Sequence, residues 1–180
     1  LKVTMMLEAI PSHYQIWSEK LEKIPILARA FPDQIFINAW PYYFAFLMLN
    51  AGFEGYDPEL RYMLLRTYVR ILLVARVEIL YHLQKLSFRQ GEQLLLKNKL
   101  FKTNETNEVL EQINYSPGES LTIYWGVRQL RKLEQDCRKK LGPQFNVNDF
   151  FHYILEQGPI PIELIKQKVI QKVQSNRAIN

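Results

Sequence analysis

Glu8 and His13 are the residues near the start of the chain whose types and spacing could do chemistry. They lie five positions apart in LEAIPSHY, residues 7–14, with a proline between them. On a helix, a carboxylate and imidazoles at such spacing can face one zinc ion, with the Glu acting as general base on a metal-bound water. A metal-binding His would be expected directly before this Glu, but Leu7 holds that position. The stretch therefore has the form of a zinc site that lacks one ligand.

Two further sets of side chains are candidates for a binding site. Glu78 and His82 are four positions apart, so on a helix they share one face, either as a surface pair or as part of a cleft. Trp40 belongs to the aromatic run WPYYFAF, residues 40–46. On a helix such a run serves either core packing or an aromatic ligand pocket. The sequence leaves both alternatives open for each set.

Composition indicates a single globular domain over residues 1–180, or one portion of a larger domain. The chain has 180 residues, 48% hydrophobic and 23% charged, and a formal net charge of +5. Its basic residues are scattered along predicted helices rather than gathered in one run, so we expect no nucleic acid partner. The single cysteine, Cys137, excludes an internal disulfide framework.

No stretch of the sequence has the form of a membrane-spanning helix. The most apolar stretch, AWPYYFAFLML over residues 39–49, is too short to cross a bilayer and contains a proline. The longer segment after Asp57 is interrupted by charged residues, among them Arg66 and Arg76.

Helical periodicity and helix-capping residues recur throughout, whereas strand patterns are almost absent, which predicts an all-α fold. The predicted helices cover Ser12 to Lys20, Gln34 to Asn50, Pro58 to about Lys85 behind an Asp57 cap, and the residues from Ser87 to about Lys99. Later helices run from Asn146 to near Gly158 and onward from Pro161.

The stretch SPGE, residues 116–119, predicts the start of another helix through a capping box with proline in its first turn. That helix should end at Gly142 and Pro143. Its buried stripe is predicted to contain Ile123, Val127, Leu130, Leu133, Cys137 and Leu141. Its basic residues are predicted to form a solvated face: Arg128, Arg131, Lys132, Lys139 and Lys140.

Several motifs in order along the chain resemble the bacterial domain-of-unknown-function 885 family. That family has the markers HExxPGHH and EGWALY, which are similar here to LEAIPSHY (7–14) and NAWPYY (38–43). Further similarities are GFEGYDP (52–58), EILYH (78–82), PGESLTIYWG (117–126) and the stretch from LGPQF to PIELI (141–165).

The resemblance implies a zinc-peptidase-like site with several ligands exchanged. It places Leu7 and Tyr14 at positions of metal-binding His, Glu8 at the general base, and Asn38 at a carboxylate ligand. His13 is then the residual ligand candidate. Leu7 cannot coordinate a metal and Asn38 offers only a neutral amide, so we expect no cofactor.

Further along the chain, the resemblance places more exchanges at positions that could orient a substrate. Gln112 and Ile113 take the place of an Arg-Tyr pair, and Ile123 replaces a Tyr. Glu78 conservatively replaces the Asp of an Asp-x-x-x-His motif, whose His is retained as His82.

The resemblance implies a zincin-like (gluzincin-like) helical fold, of which this chain is the C-terminal part of a larger domain. The expected function is a catalytically inactive binding or structural module with a vestigial Glu8. It would hold a peptide in a cleft between the helices of Glu8 and Asn38, with Glu78, His82 and Trp40 as binding residues.

The alternative is an active metallopeptidase with zinc held by Glu8, His13, Glu78 and His82, completed by an absent N-terminal region. In either case the N-terminal part of its own full-length chain would be a partner. A third possibility, an acidic surface as partner of the basic face, rests on charge alone. The family implies a periplasmic or lipid-anchored bacterial protein.

Overall fold

The computed structural model describes residues 2–8 and 24–177, and every regular element in these two ranges is helical. The predicted all-α class is therefore confirmed. The α-helices are α1 (Lys2–Glu8), α2 (Ile26–Ala30), α3 (Gln34–Asn50), α4 (Pro58–His82), α5 (Phe88–Lys97), α6 (Thr103–Tyr115), α7 (Glu119–Leu141), α8 (Val147–Gln157) and α9 (Ile162–Arg177). Two short 3₁₀ segments cover Phe53–Tyr56 and Gly142–Gln144. The predicted helix from Ser12 to Lys20 lies outside the described residues.

Side chains cap the starts of most of the helices that the sequence predicts. The Asp33 carboxylate accepts a hydrogen bond from the Phe36 N–H at 2.7 Å at the start of α3. Asp57 caps α4, Ser87 forms a capping box at α5, and Asn146 caps α8. Each cap satisfies amide donors that the first helical turn leaves without a partner. The predicted starts of these helices are therefore confirmed.

The predicted capping box at the start of α7 is wrong. Gly118 is the N-cap residue, in a left-handed conformation with φ 97°, and no side chain caps the helix. Ser116 instead ends α6, and the Glu119 carboxylate accepts a hydrogen bond from Gln112 Nε2 at 2.9 Å. Only glycine adopts this backbone conformation without strain, so the turn between α6 and α7 depends on Gly118.

The main core lies where α3 crosses α7, with α8 and α9 packed against them. Its buried residues include Phe36, Trp40, Leu130, Ile154 and Ile165. The predicted stripe of α7 is confirmed from Ile123 to Cys137, whereas Leu141 is only half-buried. The basic residues predicted to form a solvated face are all exposed.

Helices α3 and α7 make their tightest contact at Gly126. A Cβ atom there would lie 2.4 Å from Ala39 Cβ and 2.7 Å from the Ile35 carbonyl oxygen. Both distances are far below van der Waals contact, so the absence of a side chain sets how closely the two helices approach. The approach brings Asn38 on α3 next to Thr122 on α7.

Two smaller apolar clusters hold the remaining helices. In the first, Met6 and Leu7 on α1 pack with Leu49 on α3 and Leu64 on α4. The second joins the C-terminal half of α4 to α5 and α6 through residues such as Val77, Leu95, Phe101, Leu110 and Ile113. Helix α4 thus contributes residues to the main core and to both smaller clusters.

None of the helices in the two described ranges is both long enough and apolar enough to cross a membrane.

Candidate functional site

A cleft of about 240 Å³ opens between α3, α4, α6 and α7. Apolar side chains, including Ile71, Val74 and Phe101, form part of its wall. The polar and charged lining residues are Tyr42, Thr67, Arg70, Glu78, Gln112, Ser116, Glu119 and Ser120. The cleft therefore presents more polar than apolar residues, which suits a ligand with charged or hydrogen-bonding groups.

Glu78 is the most deeply buried charged residue of this cleft. It lies on α4 and is only 2% exposed. Its carboxylate accepts a hydrogen bond from the backbone N–H of Gly118, in the turn before α7. An ionised carboxylate has acceptor sites for about four hydrogen bonds. This bond to Gly118 is the only one that Glu78 makes within the described part of the chain, so acceptor capacity is left for a ligand.

Arg70 supplies a positive charge two helical turns before Glu78. Its guanidinium lies over the Phe101 ring, 4.1 Å from the ring centroid, and donates hydrogen bonds to the Leu100 carbonyl at 2.5 Å and to Glu105 at 3.1 Å. The Lys102 backbone amide and the Arg70 guanidinium together hold the pKa of Glu105 below its usual range. These contacts fix the guanidinium at the wall of the cleft.

Gln112, Ile113 and Ile123 all line the cleft. These are the three positions at which the family resemblance implies that polar groups were exchanged. Ile113 and Ile123 contribute apolar wall, and Gln112 donates a hydrogen bond to Glu119. The exchanges therefore fall on one surface, although Gln112 and Ile123 belong to different helices.

The described residues at the implied metal-ligand positions do not fit a zinc ion. Leu7 is 6% exposed and is packed among apolar side chains. The Asn38 amide donates through Nδ2 to Thr122 Oγ1 at 2.9 Å. An aliphatic side chain has no electron pair to donate, and the amide of Asn38 offers only an uncharged oxygen in place of a carboxylate.

Glu8 lies at the end of α1, where its side chain is exposed. Its negative charge, like that of Glu119, acts on Tyr42, which lines the cleft. Burial is the main reason that the pKa of Tyr42 is raised to about 12, and these two carboxylates raise it further. Both carboxylates therefore place negative charge near Tyr42.

We expect the stability of the protein to fall with rising pH in the range from about 10 to 12. The raised pKa of Tyr42 means that the folded protein holds this proton more tightly than the unfolded chain does. The resulting stabilisation is complete below the ordinary tyrosine pKa of about 10 and is lost as the pH rises toward about 12, by up to ~1.4 kcal/mol per pH unit. Urea denaturation at pH 8 to 11 measures this slope.

Tyr43 and Cys137 add to the same slope, because burial raises the pKa of each. Replacing Tyr42 by phenylalanine should therefore reduce the slope without removing it. Tyr115→Phe is the matched control, since Tyr115 is 87% exposed. Equal slopes for Tyr42→Phe and the unmodified protein would contradict the expectation.

Trp40 and His82 lie away from the cleft. Trp40 is fully buried in the main core and stacks on Phe36 with ring centroids 5.4 Å apart. His82, in the last turn of α4, is exposed and lines a shallow depression with Tyr81 and Lys85. Of the residues predicted to bind substrate, only Glu78 thus lines the cleft in this structure.

Tyr43, at the last position of the stretch that resembles EGWALY, also points into the core. It is 1% exposed and donates a hydrogen bond to Glu134 at 2.9 Å. Burial and the Glu134 charge raise its pKa.

His13 and Tyr14 lie outside the described residues. Within residues 2–8 and 24–177, no three side chains of His, Cys, Asp or Glu form a group that could hold a metal ion.

Sequence reasoning missed Arg70 and the backbone N–H of Gly118 as parts of the site. Arg70 lies eight positions before Glu78, a spacing that puts both side chains on one helix face and could have indicated their common wall. The contact with Gly118 had no local signal, because forty positions separate it from Glu78.

Comparison with known proteins gives one family and two similar solved structures. The family model of bacterial proteins of unknown function, DUF885, matches residues 1–169. A candidate lipoprotein of unknown function from Shewanella oneidensis has a TM-score of 0.87 at 20% identity. A candidate lipoprotein from Colwellia psychrerythraea has the same TM-score and identity. No functionally curated protein matches the chain.

The alignments to the two solved structures cover nearly all of this chain but less than a third of each relative. They include 94% of this chain and 31% of the Shewanella protein, and 97% of this chain and 30% of the Colwellia protein. Both relatives therefore show the fold of these helices within much longer polypeptides. Since the family model matches nearly the entire sequence, the chain belongs to the DUF885 family of bacterial proteins.

Proposed function

We propose that this chain is a non-catalytic binding module, and that its cleft takes a short peptide through the peptide's free amino end. The observation that carries the proposal is the packing of Leu7 among apolar side chains, next to a cleft that keeps a buried carboxylate, Glu78. The residues present favour binding over metal-dependent hydrolysis, because hydrolysis would need a metal-bound water or another activated nucleophile.

Two carboxylates, Glu78 and Glu119, and one guanidinium, Arg70, line the cleft. Since Arg70 is paired with Glu105, the charge left for a ligand is negative and favours an ammonium group. A buried carboxylate binds an ammonium group through a charge-assisted hydrogen bond, which is stronger than a neutral one. The cleft volume of about 240 Å³ limits the buried part of the ligand to one or two residues.

Calorimetric titration of the natural polypeptide with short peptides tests this proposal. Peptides with a free amino end should bind, and the same peptides with an acetylated amino end should bind at least about tenfold more weakly. Glu78→Gln keeps an acceptor oxygen for the Gly118 N–H but removes the charge. It should weaken binding of the free-amine peptides by about 10- to 100-fold, because a hydrogen bond to a charged group contributes ~1.5–3 kcal/mol.

Glu111→Gln is the control for this substitution, since Glu111 is exposed on α6 and does not line the cleft. Equal affinity for free and acetylated peptides would contradict the proposal that Glu78 binds the ammonium group of the peptide. Stoichiometric zinc retained through His13 after dialysis would contradict the hypothesis that the module is non-catalytic.

An active metallopeptidase with an atypical site is the second candidate function. The observation in its favour is that α1, which ends at Glu8, packs through Leu7 in the cluster that includes Tyr42 at the cleft. This function requires that the natural polypeptide hydrolyse peptides and that Glu8→Gln abolish the hydrolysis. Peptide binding without turnover would exclude it.

A further inference from the structure

The outer face of α4 is apolar and exposed along most of the helix. Its residues recur at alternating intervals of three and four, which places them on one face. We name this face the outer stripe: Tyr62, Leu65, Val69, Leu72, Arg76, Ile79 and Leu83. Tyr62 is 63% exposed, Ile79 42% and Leu83 58%. At 1.5 Å per residue the stripe is roughly 30 Å long, more than scattered surface residues would produce.

The outer stripe lies on the side of α4 opposite the cleft. Arg70, Val74 and Glu78 face the cleft, and a rotation of 100° per residue puts the stripe about 180° from them around the helix axis. Helix α4 therefore packs one face into the fold and carries an apolar stripe on the opposite face. A long exposed apolar surface of this kind marks an interaction site. Within the described residues, however, only the inner face is covered.

The solved relatives contain much polypeptide beyond this unit. Helices of this arrangement occupy 31% and 30% of the two relatives, and the TM-score of 0.87 means that the arrangement is kept there. About two thirds of each relative's polypeptide therefore lies outside this unit. Helix α4 is the longest helix of the described ranges, and its exposed apolar stripe offers a surface for that remainder.

Arg76 gives the outer stripe a charge at its centre. It is exposed and makes no hydrogen bond or ion pair with any other residue in the described ranges. A segment that covers the stripe would bury this guanidinium at least in part, and a buried charge is tolerated only with a partner. The covering segment should therefore carry an Asp or Glu opposite Arg76.

We propose that the outer stripe is an interface within the DUF885 fold, covered by a helix from the part of that fold outside this unit. The covering helix presents an apolar face to Val69 and Ile79 and a carboxylate to Arg76. This assignment is independent of what the cleft binds.

Thiol labelling of the entire natural polypeptide tests the interface. Val69→Cys and Ile79→Cys place a thiol on the outer stripe, and Gln135→Cys places one on the exposed side of α7. Maleimide labelling is followed peptide by peptide with mass spectrometry, so that the buried native Cys137 need not be replaced. The labelling rate of each thiol is also measured in denaturant, and the rate in the folded protein is divided by that value.

By this ratio, we expect both stripe thiols to label at least about tenfold more slowly than the thiol at position 135, because a covered site reacts only after local opening. Equal labelling at the three sites overturns the proposal. Protection that disappears on dilution shows that a second copy covers the stripe, which also overturns it. A natural polypeptide without any further helical segment contradicts the proposal directly.

Discussion

Replacement of Trp40 by alanine is expected to lower the free energy of unfolding by about 3–5 kcal/mol. The indole is fully buried and contacts four other aromatic rings, those of Phe36, Tyr43, Phe44 and Phe151. The substitution leaves a cavity that helices α3, α7 and α8 cannot close without losing their other contacts. Because domains of this size are stable by only about 5–15 kcal/mol, this single change removes a large part of the total. Urea denaturation followed by circular dichroism gives the value.

Trp40→Phe separates the packing role of this residue from a role in ligand binding. The indole Nε1 is buried and has no acceptor among the residues that the structure describes. Phenylalanine therefore removes no hydrogen bond within that part, and we expect a smaller loss of about 1–2 kcal/mol from reduced ring size. Peptide affinity should not change, because Trp40 lies outside the cleft. A large loss of peptide affinity in a stably folded Trp40→Phe variant would show that Trp40 takes part in binding.

Gly126→Ala is expected to lower the free energy of unfolding by about 2–3 kcal/mol, although alanine favours helix formation over glycine by about 1 kcal/mol. The new Cβ would lie 2.7 Å from the Ile35 carbonyl oxygen, and a backbone atom of a packed helix cannot move aside alone. Helices α3 and α7 must then separate along their contact. The hydrogen bond between Asn38 and Thr122 lengthens or breaks as a result.

Gly91→Ala provides the matched control for Gly126→Ala. Gly91 is also a buried helical glycine, but its nearest neighbours are the ends of the Leu86, Val77 and Leu110 side chains, at 3.1–3.2 Å. These methyl groups can shift by a few tenths of an ångström, so the gain in helix propensity offsets most of the crowding. We expect a change of less than about 1 kcal/mol. Similar losses at both glycines would show that backbone contact at Gly126 does not determine the helix spacing.

The elements predicted correctly from the sequence are those fixed by local chemistry. Asp33, Asp57, Ser87 and Asn146 each bond to amides two or three residues away, so their effect is readable in the sequence itself. The capping box predicted for the residues SPGE was wrong because these residues can also form a turn without a side-chain cap. The left-handed Gly118 and the bond between Gln112 and Glu119 selected the other one.

Helix α6 and the cleft show why other features could not be predicted. Helix α6 begins at Thr103, and its N-cap residue is Lys102, which is not a standard N-cap residue, so no start signal was readable there. The cleft collects residues from Tyr42 to Ile123, and only the packing of α3, α4, α6 and α7 brings them together. Sequence motifs singled out Glu78 but could not separate its environment from that of His82, one helical turn away.

The burial of Leu7 restricts which side chains position 7 can accept. A histidine at this position would place an imidazole among Leu49, Leu60 and Leu64, and desolvation of a polar ring costs free energy unless it gains a partner. A Leu7→His variant should therefore lose stability without gaining a metal centre, because Asn38, at the position where the resemblance implies a carboxylate ligand, holds a neutral amide. The side chain at position 7 thus serves the packing of α1 against α3 and α4.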